Sequence, residues 1–270
     1  MVRMGRIRQD MGIMMSAART SIRSQFAAVP IWLWAVQLIA VSLSQMVFFV
    51  LITIYAGYDT ASVQDVALGN SLQAVTFSTV FAVCSIPGIE KHGGTLPLIM
   101  STPTRTFTVI VGKSLFEIFA GLVAAAVSLS FAVAVFGVDL SNVNVLALVA
   151  VVLMTCFAMT GFGLMLSSIG IYLRSSTLLA SLFLYFGLIF CGVNFPISQL
   201  PAILQPISLA IPMTYGVSAL KMAADGSSIL SIWPDLSAMI VIGIVMILLG
   251  FLLFNTFEEK ARRKGSLEMF

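Results

Sequence analysis

Val111-Gly112-Lys113-Ser114 ends like a phosphate-binding loop, in which backbone amides surround a nucleotide's phosphates and the lysine neutralises them. That loop needs a second glycine five residues before Gly112, and Phe107 stands there. The tetrapeptide also opens a long apolar run, and a helix entering a membrane cannot turn its amides onto phosphate. Lys113 therefore reads as a cation reaching from the start of an apolar helix to lipid headgroups, and the chain is not expected to hydrolyse ATP. His92 is the only histidine, with no cysteine or second histidine beside it, so no metal site is expected. Serine and carboxylate residues exist, but none is set in a nucleophile elbow. Every aspartate falls outside the apolar runs or in the amino-terminal segment, which excludes an intramembrane aspartyl dyad. Cys84, Cys156 and Cys191 lie in or at the edge of apolar runs without ligand spacing and read as reduced packing residues. No catalytic residue and no bound cofactor is expected, and the chain does not read as an enzyme.

The remaining polar groups within apolar runs are few. Glu117 follows Lys113 by one helical turn, and the two can pair near the membrane interface. Gln37, Gln45, Asn70 and Gln73 could line a route for an amphipathic substrate or hydrogen-bond between helices. Gly121, Ala124, Ala125, Ser128, Gly161 and Gly163 suit close helix packing.

These residues must be held by elements built for lipid. The chain of 270 residues is 59% apolar and 9% charged, whereas soluble domains carry about 25% charged residues. Its arginines lack interleaved aromatics, so nucleic acid is not an expected partner. Six apolar runs approach or exceed the roughly 20 residues needed to span a bilayer: Ile31–Tyr55, Val66–Ser85, Phe107–Gly137, Val145–Tyr172, Thr177–Val193 and Leu236–Phe254, the fifth being short. No cleavable signal peptide is evident. With six spans, thirteen of the fourteen basic residues fall on the side of the termini and only Lys221 lies opposite, which places both termini in the cytoplasm. Asp59, Asp65, Asp139, Asp225 and Asp235 lie on the far side.

Ahead of the first span, Ile7, Met11, Met15, Ala18, Ile22 and Phe26 form one apolar stripe, opposite Gln9, Ser16, Thr20, Arg23 and Ser24. This pattern predicts an amphipathic helix lying in the cytoplasmic interface with its arginines near anionic headgroups, ended by Pro30. The organisation expected is an interfacial helix over residues 1–29, a transmembrane domain over 30–254 and a cytoplasmic tail over 255–270.

Two further segments are distinctive. Glu90-Lys91-His92-Gly93-Gly94-Thr95-Leu96 begins a short cytosolic element that two glycines and two prolines bend before the third span. Phe195-Pro196-Ile197-Ser198-Gln199-Leu200-Pro201 carries too little charge for a solvated loop and too many prolines for a straight span. In this order, and across nearly the whole chain, the two segments resemble the type-2 permease family of ATP-binding-cassette exporters. Glu90, Gly94-Thr95-Leu96, Thr102-Pro103 and Gly112-Lys113 match the family pattern, while Pro97 replaces its usual second glutamate.

The resemblance implies an all-α integral membrane protein with six transmembrane helices, the interfacial helix and extracytoplasmic re-entrant helices before the last span. It implies an ATPase-coupling loop formed by Glu90, Gly94, Thr95, Leu96, Thr102 and Pro103, the alternative being a plain re-entry turn. Phe195, Pro196, Leu200, Pro201, Pro212 and Tyr215 then form an extracytoplasmic cap. The implied partners are a cytosolic ABC ATPase that binds ATP and Mg, a second permease copy as a homodimer, and membrane lipids. The implied setting is a prokaryotic plasma membrane. Arg19 to Phe26 lacks the basic, Tyr-containing signature of polysaccharide exporters, which points to an amphipathic drug, peptide antibiotic or lipid-like substrate. The competing readings are a glycan exporter and a motor-independent channel or assembly subunit.

Overall fold

A computed structural model describes residues 2–102, 104–173 and 176–263, and among them every regular element is helical. The helices are α1 (Val2–Ala28), α2 (Ile31–Tyr55), α3 (Thr60–His92), α4 (Leu96–Ser101), α5 (Thr106–Phe136), α6 (Val145–Leu173), α7 (Ser176–Phe190), α8 (Gln205–Leu209), α9 (Pro212–Ala224) and α10 (Ile229–Arg263). Helices α2, α3, α5, α6 and α10 are long and apolar enough to cross a membrane. The fifth apolar run of the sequence is α7, whose 15 residues rise only about 22 Å at ~1.5 Å per residue.

Hydropathy places the first span correctly and shortens two others. Helix α3 begins ahead of Val66, because Asp59 caps it and accepts a hydrogen bond from the Ser62 N–H at 3.1 Å. It then continues through a π-helical turn at Phe77–Phe81 and past Pro87 to His92. Helix α10 starts before Leu236 and runs unbroken across residue 254 to Arg263, so much of the expected tail extends a transmembrane helix.

Small residues set the packing. The most extensive interface joins α6 to α10. A Cβ on Gly161 would lie 2.7 Å from the Gly243 carbonyl oxygen, and one on Gly250 3.1 Å from the Met165 nitrogen. Ser168 Oγ donates to the Gly250 carbonyl at 2.9 Å across the same contact. Glycine lets these backbones approach, as the sequence suggests for Gly161. Gly121 on α5 likewise sits against the π turn, where its Cβ would be 2.8 Å from Thr79 Cγ2.

Helix α1 lies along α5. Gly112 faces the Met14 carbonyl, and Ala17 and Ala18 are buried there. The expected apolar stripe therefore divides. Ala18 turns inward, Phe26 packs edge-on against Trp34 and Phe116, and Met11, Met15 and Ile22 stay exposed. Arg19, Thr20, Arg23 and Ser24 are exposed as well. One side of α1 is thus seated on protein and another offers apolar side chains outward, consistent with a helix at an interface.

The bundle has two ends. One gathers α1, α4, the start of α5 and the last turns of α10. The other gathers the turn after α2, residues 137–144, and the irregular chain between α7 and α9. At that second end Asn144 N–H donates to the Ala223 carbonyl at 3.1 Å, and Gln64 Nε2 donates to the Gly137 carbonyl at 3.4 Å.

Candidate functional site

The first site is the element joining α3 to α5. Helix α3 ends in a glycine turn: Gly93 N–H donates to the Ile89 carbonyl at 2.9 Å, and Gly94 takes φ +68°, a conformation that costs glycine little. Thr95 N–H returns to the Glu90 carbonyl at 2.9 Å, and Thr95 Oγ1 donates to the Glu90 carboxylate at 2.5 Å. Helix α4 follows, with Pro97 in its first turn, where a missing N–H does no harm. It turns Leu96 and Met100 inward and leaves Pro97 and Leu98 exposed, with Ile89 exposed one turn before the α3 end. Thr102 closes the far side, donating to the Ile99 carbonyl at 2.7 Å. Pro103 lies outside the described residues.

Lys113 reaches into this element. Its Nζ forms a largely buried ion pair with Glu90 across the gap between α5 and α3. This differs from both expectations for Lys113, which neither extends to headgroups nor pairs with Glu117. The glycine turn brings Glu90 over the first turns of α5, and that geometry wins over the weak i,i+4 contact. Glu117 is buried and has no ion-pair partner among the described residues. His92 is exposed, its Nδ1 2.7 Å from the Gly88 carbonyl oxygen.

The end of α10 grips the same element, which the sequence did not reveal. Thr106 Oγ1 donates to Glu258 Oε1 at 3.1 Å, Phe107 packs against Phe251 and Phe254, and the Arg105 guanidinium lies 5.8 Å from the Phe251 ring centroid. The Thr106–Glu258 contact joins residues 152 positions apart, and no local spacing signals it.

The second site lies at the opposite end. After Phe190 the helix breaks, and Cys191, Gly192 and Val193 pass through the interior. Gly69 of α3 makes room: a Cβ there would lie 2.4 Å from the Val193 carbonyl oxygen. Freed carbonyls are taken up by side chains, as a broken segment at membrane depth requires. Asn194 Nδ2 donates to Leu188 at 3.2 Å, Gln205 Nε2 to Leu200 at 3.0 Å, Thr214 Oγ1 to Ser208 at 2.6 Å and Tyr215 Oη to Leu209 at 3.0 Å. Of the expected cap residues, Leu200 and Pro212 are buried, Phe195 and Tyr215 half-buried, and Pro196 and Pro201 exposed.

Asn70 and Gln73 do share a face, and both turn to this segment. Asn70 Nδ2 donates to Asn194 Oδ1 at 2.9 Å, and Gln73 Nε2 reaches the Leu184 carbonyl at 3.4 Å. Both are nearly fully buried, in the interhelical arrangement the sequence allows. Gln45 is half-buried with an unpartnered Nε2, and Gln37 is exposed. None of the four lines the cavity of about 590 Å³ that opens between α2, α3, α7 and the broken segment. Ile52, Tyr185 and Phe195 form apolar walls there, and Asp65 and Lys221 meet at 2.9 Å along its edge.

Comparison with known proteins places this arrangement. A family model described as ABC-2 type transporter matches residues 15–224, from within α1 to the end of α9. No curated protein matches the chain.

Proposed function

Because the chain belongs to the ABC-2 type transporter family, whose permeases work with an ATP-binding subunit, we propose that it is the membrane half of an exporter driven by a separate ATPase. The reading is carried by the Glu90–Lys113 pair, which ties the ends of two membrane helices together at the root of an exposed turn and short helix. A force applied to α4 is delivered to α3 and α5 jointly, as a rigid-body transmission needs. Glu90, Gly94, Thr95, Leu96 and Thr102, with Pro103, form the coupling loop in this proposal. Exposed Pro97, Leu98 and Ile89 give the motor an apolar surface to hold.

ATP and Mg bind the partner, and closure of that motor moves the loop. The permease acts as a homodimer in a prokaryotic plasma membrane, with α1 and both termini on the cytoplasmic face. The clustering of Arg19, Arg23, Lys91, Arg105 and Lys113 at the end opposite Lys221 supports that orientation. Phe195, Pro196, Leu200, Pro201, Pro212 and Tyr215 cap the outer end of the route. The cargo is an amphipathic drug, peptide antibiotic or lipid-like molecule, moved outward from the cytoplasm or inner leaflet.

Affinity purification of the tagged protein in mild detergent, read by mass spectrometry, tests the assignment. A one-to-one ATP-binding-cassette subunit is expected. Its absence under conditions that keep permease dimers intact would return the chain to the channel or assembly-subunit class. In the reconstituted complex, Glu90→Ala with Gly94→Pro should uncouple ATP hydrolysis from transport while insertion stays normal.

A further inference from the structure

We propose that the cavity between α2, α3, α7 and the broken segment binds a single-chain amphiphile with a zwitterionic headgroup, whose two charges answer Asp65 and Lys221. The inference rests on the exporter reading only for the fate of the bound molecule. The cavity volume of about 590 Å³ falls within the roughly 300–1,000 Å³ of ligand-sized sites. It has room for one acyl chain and a head.

Its lining is graded. Phe49, Ile52, Tyr185 and Ile189 make an apolar part, and the last three of these are exposed at its rim, so an alkyl chain can enter from the side. Asp65 and Lys221 make a polar part, with Asn194 beside them. Asn194 is held before any ligand arrives, accepting from Asn70 Nδ2 at 2.9 Å and donating to Leu188 at 3.2 Å. A preset polar floor of this kind favours a defined head position.

The ion pair selects the head. Lys221 Nζ lies 2.9 Å from Asp65 Oδ2, and the two side chains are 25% and 54% exposed, so neither charge is sealed. An ammonium offers three donors and a carboxylate about four acceptor positions. Among the described residues no other side chain bonds to either group. An anionic head would approach Lys221 against the field of Asp65, and a cationic head would meet the reverse. A zwitterion satisfies both, closing a ring in which every charge has a counter-charge. In the six-span reading Lys221 is also the one basic residue on the side opposite the thirteen others, which argues for a local role.

The test uses the purified permease in nanodiscs of phosphatidylglycerol. Three probes carry the same photoreactive alkyl tail on a phosphocholine lysolipid, a phosphoglycerol lysolipid or a trimethylammonium head. Crosslinked peptides are mapped by mass spectrometry. The phosphocholine probe should label residues 49–53 and 185–189 saturably, at least tenfold above the other two. Asp65→Asn and Lys221→Gln should each lose that preference, and the exchange Asp65→Lys with Lys221→Asp should regain it. Ile52→Trp, at an exposed position, should block labelling without touching the pair. Equal labelling by all three heads would overturn the proposal, as would labelling spread over the exposed faces of α2 and α10, or labelling unchanged in Asp65→Asn. No ATPase takes part, so failure here leaves the exporter reading standing. ATP-dependent movement of the bound lysolipid in proteoliposomes with the motor would make it cargo; saturable labelling without movement would refute the cargo role and leave a resident lipid.

Discussion

Removing both members of the Glu90–Lys113 pair should cost clearly less than the two single removals added together. The side chains of Lys113 and Glu90 are 10% and 14% exposed. Glu90→Ala leaves an ammonium with little water and no other ion-pair partner among the described residues. Loss of one partner from a buried pair costs about 3–5 kcal/mol. The long lysine stem allows partial escape toward the interface, which puts the expectation at the lower limit, about 3 kcal/mol. Lys113→Met strands the carboxylate instead, although Thr95 Oγ1 still donates to it at 2.5 Å, so its cost should be smaller, about 2 kcal/mol. The double variant buries no unpaired charge. Its cost should fall short of the summed singles by about 2 kcal/mol, within the coupling range of contacting residues. The assay is reversible unfolding of the four proteins in mixed micelles, followed by helical circular dichroism. Single-variant costs that add to within about 0.5 kcal/mol would show that the two charges do not act on one another, and the joint movement of α3 and α5 would lose its basis.

Other perturbations test neighbouring contacts. Gly69→Ala puts a Cβ 2.4 Å from the Val193 carbonyl oxygen; it should cost about 1–3 kcal/mol and abolish photolabelling of the cavity, seen by the same unfolding and crosslinking assays. Gly94→Ala forces a side chain onto φ +68° and should cost about 1 kcal/mol, while lowering ATPase stimulation more than dimer yield. Gly112→Leu, where even a Cβ would be 2.5 Å from the Met14 carbonyl oxygen, should lift α1 from α5 and raise protease cleavage within residues 10–28. Glu258→Ala removes an acceptor of the Thr106 hydroxyl; it should weaken coupling in the reconstituted complex and leave membrane insertion unchanged.

Hydropathy revealed most of the bundle because lipid exposure demands long apolar runs, and α2 is bounded at the residues the sequence marks. It failed where local chemistry extends a helix. The Asp59 cap starts α3 among polar residues, and α10 carries its helix into a charged end that hydropathy scores as tail. Glu90 and the glycine turn were legible as a motif, yet the Lys113 partnership was not, since it depends on how the turn folds α3 over α5. Asn70 and Gln73 were correctly grouped by their three-residue spacing. Their partners on α7 and beyond lie more than a hundred positions away. The cavity left no sequence signal, because its walls come from α2, α3, α7, α9 and the irregular chain after α7, stretches that look like ordinary membrane helix and loop.

The shortness of α7 has a consequence for the lipid around the protein. Its 15 residues face, across the cavity, an α2 of 25, a difference of about 15 Å along the two axes at ~1.5 Å per residue. Lipids touching both helices meet hydrophobic mismatch, and acyl chains on the α7 flank must shorten or splay. Headgroups drawn inward on that flank would come toward Asp65 and Lys221. Thickening the membrane makes that dip more expensive by fractions of a kcal/mol per Å. Reconstitution in a series of bilayers of increasing acyl-chain length would therefore change this flank before it changed the α6–α10 side, making membrane thickness itself a control on entry to the cavity.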